Sequence, residues 1–407
     1  MNAPNSANNK KPLKDHREIG KELELFFFDE TSPGSAYWLP KGMAIYKELE
    51  NFIRQTIDIR GYEEISTPII VKSDIFKKSG HWQFFKNNMF NFKVENEDYS
   101  IKPMNCPESA IVYSFKTRSY KDLPLRYSEF GRLHRNERSG TLNGMFRVRQ
   151  LVMDDAHVFC KNDQIQEEIA SMLEITLEFY KKLGLPITFG LATRPKKAMG
   201  TKETWQDAQN QLSSALKSHN ITYQILEGEG AFYGPKIHID FKDSLKRNWT
   251  MATIQIDFQM PEGLNLQYVS EKGSNIRPVM IHRAILGSFE RFVGIITEHF
   301  QGNFPLWLSP IQVIILPITD KNSKYAQKVE GTLRNCGIRT YLDARNETLQ
   351  AKIRDATLQK IPCQVIVGEK EQISGELSIR TREGENLEKL TIGSLVDKIT
   401  KEIESKS

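Results

Sequence analysis

Cysteine is scarce in this 407-residue chain. The four present, Cys106, Cys160, Cys336 and Cys363, lie far apart with no C-x-x-C pair, which argues against a disulfide framework and for a reducing compartment. Long apolar runs are also missing. The longest, such as Val313 to Pro317, are strand-sized, so no membrane span is expected. The stretch Met1 to Asp15 is polar and rich in Lys, Asn and Pro, without the apolar centre of a secretory signal. These absences predict a cytoplasmic protein. Neither sign of charge dominates, because 56 basic side chains face 51 acidic ones for a net +5. Such a balance tolerates a polyanionic partner without itself arguing for one.

Apolar residues make up 39% of the chain and aromatics 10%, enough for a large core, and the length predicts two or three compact units. Residues 1–20 read as a flexible lead-in. Ile45, Leu49, Phe52, Ile53 and Ile57 recur at helical spacing between Gly42 and Arg60, before a strand over Glu64 to Val71. Two more helices are predicted over Asp163 to Leu183 and Thr201 to Ser218. Ile221–Leu226, Phe232–Phe241 and Trp249–Phe258 read as an antiparallel sheet, closed by Pro278 to His282. A helix with Ile285, Phe289, Phe292 and Ile296 inward comes next. Gly, Asn and two prolines over Gly302–Pro310 mark a boundary. Beyond it, strands at Gln312–Ile318, Arg339–Asp343, Gln364–Gly368 and Glu376–Arg382 are spaced by helices Ser323–Asn335, Asn346–Gln359 and Ile392–Glu404. That alternation predicts a small α/β domain with a mainly parallel sheet.

The most informative stretch is Leu125 to Cys160, where Arg126, Arg132, Arg135, Arg138, Arg147 and Arg149 surround a polar Ser-Gly-Thr-Leu-Asn-Gly turn. Arginines across a hairpin suit bidentate contact with phosphate or carboxylate. A solvated basic hairpin is the competing reading of the charge run alone.

Arg135-Asn136-Glu137 in this hairpin resembles motif 2 of the class II aminoacyl-tRNA synthetases. Gly287-Ser288-Phe289-Glu290-Arg291 matches motif 3, and the helix and strand ending at Pro68 match motif 1. The strings Lys-Pro-Met-Asn-Cys-Pro, Asp-Asp-Ala-His, Gly-Ala-Phe-Tyr-Gly-Pro-Lys and Ile-His-Arg-Ala-Ile-Leu-Gly-Ser resemble the threonyl branch. The resemblance implies an α+β catalytic domain over 21–305, an antiparallel sheet flanked by helices, and a small α/β anticodon-binding domain over 310–407. It implies activation of L-threonine with ATP, transfer to tRNA(Thr), and a homodimer formed through motif 1.

Roles follow from the resemblance. Arg135 holds the substrate carboxylate and α-phosphate, and Glu137 reads the adenine amino group. Arg147 and Arg291 bind the outer phosphates, with Lys236 also at the nucleotide and Mg²⁺ at the leaving pyrophosphate. Cys106, His157 and His282 are implied as the three protein ligands of one Zn²⁺. A three-ligand site is open to the amino group and β-hydroxyl of threonine, which rejects isosteric valine far better than a hydrophobic pocket can. Asp155 accepts the hydroxyl proton, while Tyr233 and Gln255 orient the amino group. Asn346-Glu347, Glu371 and Arg380 match positions that contact anticodon bases.

The chain also departs from the family pattern. Met153 replaces an expected Gln, Leu151 an aromatic that stacks on adenine, Thr250 a Gln, and Glu108-Ser109 a Gly-His pair. No counterpart of the N-terminal editing domain of bacterial members is read here, so measurable mischarging with serine is expected. Two alternatives stay open: a paralogue that activates an amino acid without charging tRNA, and a non-catalytic RNA-binding regulator.

Overall fold

The computed structural model describes residues 13–243 and 246–406. Residues 1–12 of the expected lead-in therefore lie outside the described part. The rest of it is ordered as helix His16–Glu22, because Asp15 and Glu18 cap that helix reciprocally. Two compact units form. The larger gathers Phe28–Tyr37 and Tyr46–Val293; the smaller gathers residues 13–27, Trp38–Ile45 and Gly294–Ser405.

The larger unit is built on one sheet of eight strands. These are β1 (Glu63–Glu64), β2 (Leu125–His134), β3 (Gln150–Cys160), β4 (Ile187–Ala192), β5 (Tyr223–Leu226), β6 (Lys236–Lys242), β7 (Asn248–Asp257) and β8 (Val279–Ser288). Their order is β5-β4-β6-β7-β8-β3-β2-β1. The six central strands are antiparallel, and each edge strand runs parallel to its neighbour.

Several elements differ from the sequence expectation. The strand expected over 64–71 is split around Pro68, which has no N–H to give a ladder. Glu63–Glu64 joins the large sheet, while Ile70–Lys72 pairs with Glu97–Ile101 in another. The strand expected from Phe232 begins at Lys236, after the Gly234–Pro235 turn. Ile285 belongs to β8 rather than to the following helix, which starts at Phe289. Here the buried Asp154 carboxylate accepts the N–H groups of Ile285, Leu286 and Gly287. It thereby satisfies backbone where the β8–β3 register shifts between Ala284 and Ser288.

Helix α1 (Ile165–Lys182) turns Ile165, Ile169, Met172 and Leu173 into the core, and its Tyr180 hydroxyl donates to the Ile285 carbonyl at 2.7 Å. Helix α2 (Lys202–Ser218) buries Trp205, Ala208, Leu212 and Leu216, with Thr201 capping its start.

In the smaller unit, β9 (Val313–Pro317), β10 (Thr340–Leu342), β11 (Cys363–Val367), β12 (Glu376–Thr381) and β13 (Leu390–Thr391) form one sheet in the order β10-β9-β11-β12-β13. The first three are parallel and the last two antiparallel. Val313 and Ile315 pack on one face with Val329, Leu333 and Ile399; Ile314 and Leu316 pack on the other with Ala356 and Ile361. A strand buried on both faces explains the continuous apolar run seen in the sequence. The helix expected from Asn346 starts at Leu349, where Thr348 caps it. Among the described residues, no helix is long and apolar enough to cross a membrane.

Candidate active site

Strand register brings the site together. Lys236 pairs with Gln255, Gln255 with His282, and His282 with His157, a straight row across β6, β7, β8 and β3. Two residues along, His238, Thr253, Ala284 and Asp155 form a second row. Alternate residues of a strand share a face, so both rows border one cavity of about 460 Å³. Cys106 reaches this cavity from the start of helix Cys106–Tyr113. The preceding Asn105 donates to Asp155 Oδ2 at 2.7 Å. Gly131 of β2 permits that approach, since a Cβ there would meet the Asn105 amide at 2.1 Å.

Cys106, His157 and His282 are all buried, and one ligand atom from each lies within 4.8 Å of the others. This donor set fits a zinc ion: one thiolate, two imidazoles and room for a substrate. His282 Nε2 stands 3.1 Å from Asp257 Oδ2, leaving Nδ1 for a metal. Asp257 is itself fixed by the N–H groups of Gln259 and Met260. A carboxylate behind a ligating histidine orients the ring and raises its basicity. Burial holds the His157 pKa well below the usual range, so its lone pair stays available. Tyr233 stacks on His282 with centroids 4.9 Å apart, and its hydroxyl donates to Gln255 Oε1 at 2.8 Å. Burial raises the pKa of Asp155, against the Asn105 hydrogen bond and the Arg135 charge.

The other half of the cavity is cationic. Among the described residues, the Arg135 guanidinium donates only to the Pro103 carbonyl at 3.3 Å and the Met153 sulfur at 3.8 Å, with the Phe85 ring beside it. No carboxylate among the described residues pairs with it, and burial lowers its pKa. Arg291 donates to the Phe146 carbonyl at 3.0 Å; desolvation and then the charges of Arg135 and Arg147 lower its pKa. Lys236 borders the same cavity, its pKa lowered by desolvation. Crowded cations with no carboxylate in direct ion-pair contact among the described residues suit a polyanion.

The remaining residues singled out in the sequence stand elsewhere. Arg147 and Glu137 pair with each other at 2.8 Å, and neither borders the cavity. Leu151, Met153 and Thr250 do border it, with Leu151 packed against Leu133 and Val148. In the smaller unit Asn346 and Glu347 are exposed. Glu371 accepts from the Gly368 N–H and the Ser378 hydroxyl, which ties it to its own fold. Arg380 lies on β12, half-buried, with no hydrogen-bond partner on its Nε among the described residues.

Sequence reasoning missed Asn105, Asp257 and His81. Asn105 stood inside the quoted Lys-Pro-Met-Asn-Cys-Pro string, a usable signal. Asp257 and His81 carried none, because only tertiary contact puts them beside His282 and Cys106.

Residues 90–300 match the family described as "tRNA synthetase class II core domain (G, H, P, S and T)", and residues 312–402 match "Anticodon binding domain". The chain is 48% identical over 394 residues to a threonine--tRNA ligase of Desulforamulus reducens, covering 97% of this chain and 62% of that protein. It is 49% identical over 391 residues to the threonine--tRNA ligase of Legionella pneumophila strain Philadelphia 1, covering 96% and 61%. The chain thus spans about three fifths of these relatives. The solved RNA binding domain of threonyl-tRNA synthetase from Cryptosporidium parvum superposes with a TM-score of 0.92 at 43% identity, covering 95% of this chain and 98% of that one.

Proposed function

The chain belongs to the class II tRNA synthetases, and from that premise we propose that it activates L-threonine with ATP and transfers it to tRNA(Thr). The carrying observation is one cavity that joins the Cys106–His157–His282 cluster to the unpaired Arg135 guanidinium. Zinc, when bound, supplies a Lewis-acid centre for the amino nitrogen and β-hydroxyl oxygen of threonine. Cys106, His157 and His282 would hold it.

This chain's own residues do the rest. Asp155, held by Asn105, accepts the hydrogen of the substrate hydroxyl. Tyr233 and Gln255, already bonded to each other, face the amino group. Arg135 binds the threonine carboxylate and the α-phosphate together, so the carboxylate oxygen attacks phosphorus in line and pyrophosphate leaves. Positioning and charge neutralisation supply most of the rate. Arg291 and Lys236 take the outer phosphates with Mg²⁺, and Arg147 joins them once it releases Glu137, which then reads the adenine amino group.

The smaller unit carries the anticodon contacts, with Asn346, Glu371 and Arg380 as the residues to test. A cytoplasmic homodimer completes the reading; Ile69 and Ile70, just past the motif 1 strand, are exposed apolar side chains at its expected interface.

A second reading draws on Met153 and Leu151, which put apolar side chains where the family binds carboxylate and adenine. It is a non-catalytic RNA-binding regulator that keeps the fold. ATP–pyrophosphate exchange with threonine, serine and valine, with and without a chelator and beside a metal count, tests the main reading. Threonine-dependent exchange that tracks one zinc per subunit is the expected result, and exchange without metal defeats it. A tRNA charging assay separates the two readings.

A further inference from the structure

Most of the described methionines are buried, but Met43, Met104, Met153 and Met199 are partly exposed. Of these four, Met104 and Met153 border the cavity. Met104 turns its sulfur onto His81 Nε2, at 3.2 Å. Met153 turns its sulfur onto a cation instead, with Sδ 3.8 Å from Arg135 Nη2. Its hydrocarbon part packs against the buried Leu133, Val148 and Leu151, which keeps the thioether beside Arg135.

A thioether is a weak acceptor, so Met153 leaves the guanidinium largely free for a ligand. One added oxygen reverses this. A sulfoxide is polar, and its oxygen can close the 3.8 Å gap to Nη2. A hydrogen bond from a charged donor is then roughly twice as strong as a neutral one.

We propose that Met153 is a site of oxidation by peroxides, and that its sulfoxide oxygen engages Arg135 and lowers threonine activation. The inference rests on the proposed role of Arg135 as holder of the threonine carboxylate. A lone pair of Sδ attacks one peroxide oxygen, and the S–O bond forms as the O–O bond breaks. The departing hydroxide takes the proton of the transferred oxygen and leaves as water. Sulfur loses two electrons and the peroxide gains them. The cavity of about 460 Å³ admits such an oxidant, since a water molecule takes up only about 30 Å³. The substrate carboxylate and the sulfoxide oxygen then compete for one guanidinium. A sulfoxide has no hydrogen to offer the carboxylate in return.

The test exposes the full chain to graded hydrogen peroxide. Mass spectrometry of peptides reads the oxygen gained at each methionine, and ATP–pyrophosphate exchange reads threonine activation. Wild type is compared with Met153→Leu, a swap that cores tolerate well, and with Met104→Leu. Each rate is taken against the untreated sample of the same protein. In wild type and Met104→Leu, kcat/KM for threonine should fall about 10- to 100-fold in step with oxygen on Met153, the weight of one hydrogen bond to a charged group. Met153→Leu should hold its rate over the same peroxide range.

A Met153→Leu protein that loses its rate as wild type does would place the damage elsewhere, at Cys106 first, and overturn the proposal. Full oxidation of Met153 with an unchanged rate would overturn it too, as would a Met153 left intact while Met43 and Met199 gain oxygen. An untreated wild type without threonine-dependent exchange would instead defeat the proposed activity, and this inference with it.

Discussion

Arg147 and Glu137 close on each other across the arginine-rich hairpin, Nε to Oε2 at 2.9 Å and a second guanidinium nitrogen at 2.8 Å. The pair is half-exposed on the arginine side, where such bridges contribute less than about 1 kcal/mol. Arg147→Ala should therefore barely move the melting temperature. If Arg147 swings onto the outer phosphates, the same change should raise the KM for ATP roughly tenfold or more, a loss of about 1.4 kcal/mol. Exchange rates against ATP concentration read this directly, and an unchanged KM would remove Arg147 from the nucleotide site.

On the proposed reading, a metal held by Cys106, His157 and His282 would set the amino-acid specificity. Valine has no hydroxyl for the open coordination position, whereas serine differs from threonine by one methyl, worth about 1–3 kcal/mol. Exchange kinetics should show serine activated only about 10- to 200-fold less efficiently than threonine. Valine should fall well below serine. Valine accepted as readily as serine would mean that something other than a metal reads the side chain.

How much of this was legible beforehand differs by element. The smaller unit could be read almost strand by strand, because Val313 to Pro317 is apolar on both faces and helices alternate with it. The cavity could not be read so directly. His157 and His282 are neighbours only through the β3–β8 register, and a chain carries no local mark of which strands will lie side by side. Family resemblance supplied that pairing. The N–H groups of Ile285, Leu286 and Gly287 found their acceptor on β3, at Asp154, so the helical periodicity read through Ile285 gave way to a tertiary contact. His81 stayed hidden because its partners, two sulfurs and a serine, attract no attention in sequence.

Asp154 and Asp155 are consecutive yet serve opposite faces of β3. Asp154 accepts three backbone N–H groups and lies 3.5 Å from the buried Arg283. Asp155 faces the cavity with Asn105 as partner. Asp154→Asn should leave Arg283 unpaired and cost the larger unit on the order of 3 kcal/mol. Asp155→Asn should cost less than about 1 kcal/mol while lowering threonine activation at least 100-fold, about 2.7 kcal/mol of transition-state stabilisation. Urea titration beside exchange kinetics separates the two, and a pair of variants with matching profiles would refute the division.

Glu290 gives the fold a pH dependence whose sign is set by burial. Its carboxyl is almost fully buried and accepts the Val152 N–H at 3.0 Å. Burial raises its pKa from 4.5 to about 7. Between those values the folded protein holds a proton that the unfolded chain has released, so stability falls as pH rises. The contribution is complete below about pH 4.5 and lost by about pH 7, a swing on the order of 3 kcal/mol at about 1.36 kcal/mol per pH unit. Glu290→Gln keeps an acceptor for Val152 and carries no titratable proton. Urea midpoints taken at pH 5, 6 and 7 should fall for wild type and fall less for the Gln variant by that amount. Parallel lines for the two proteins would place the titrating group elsewhere.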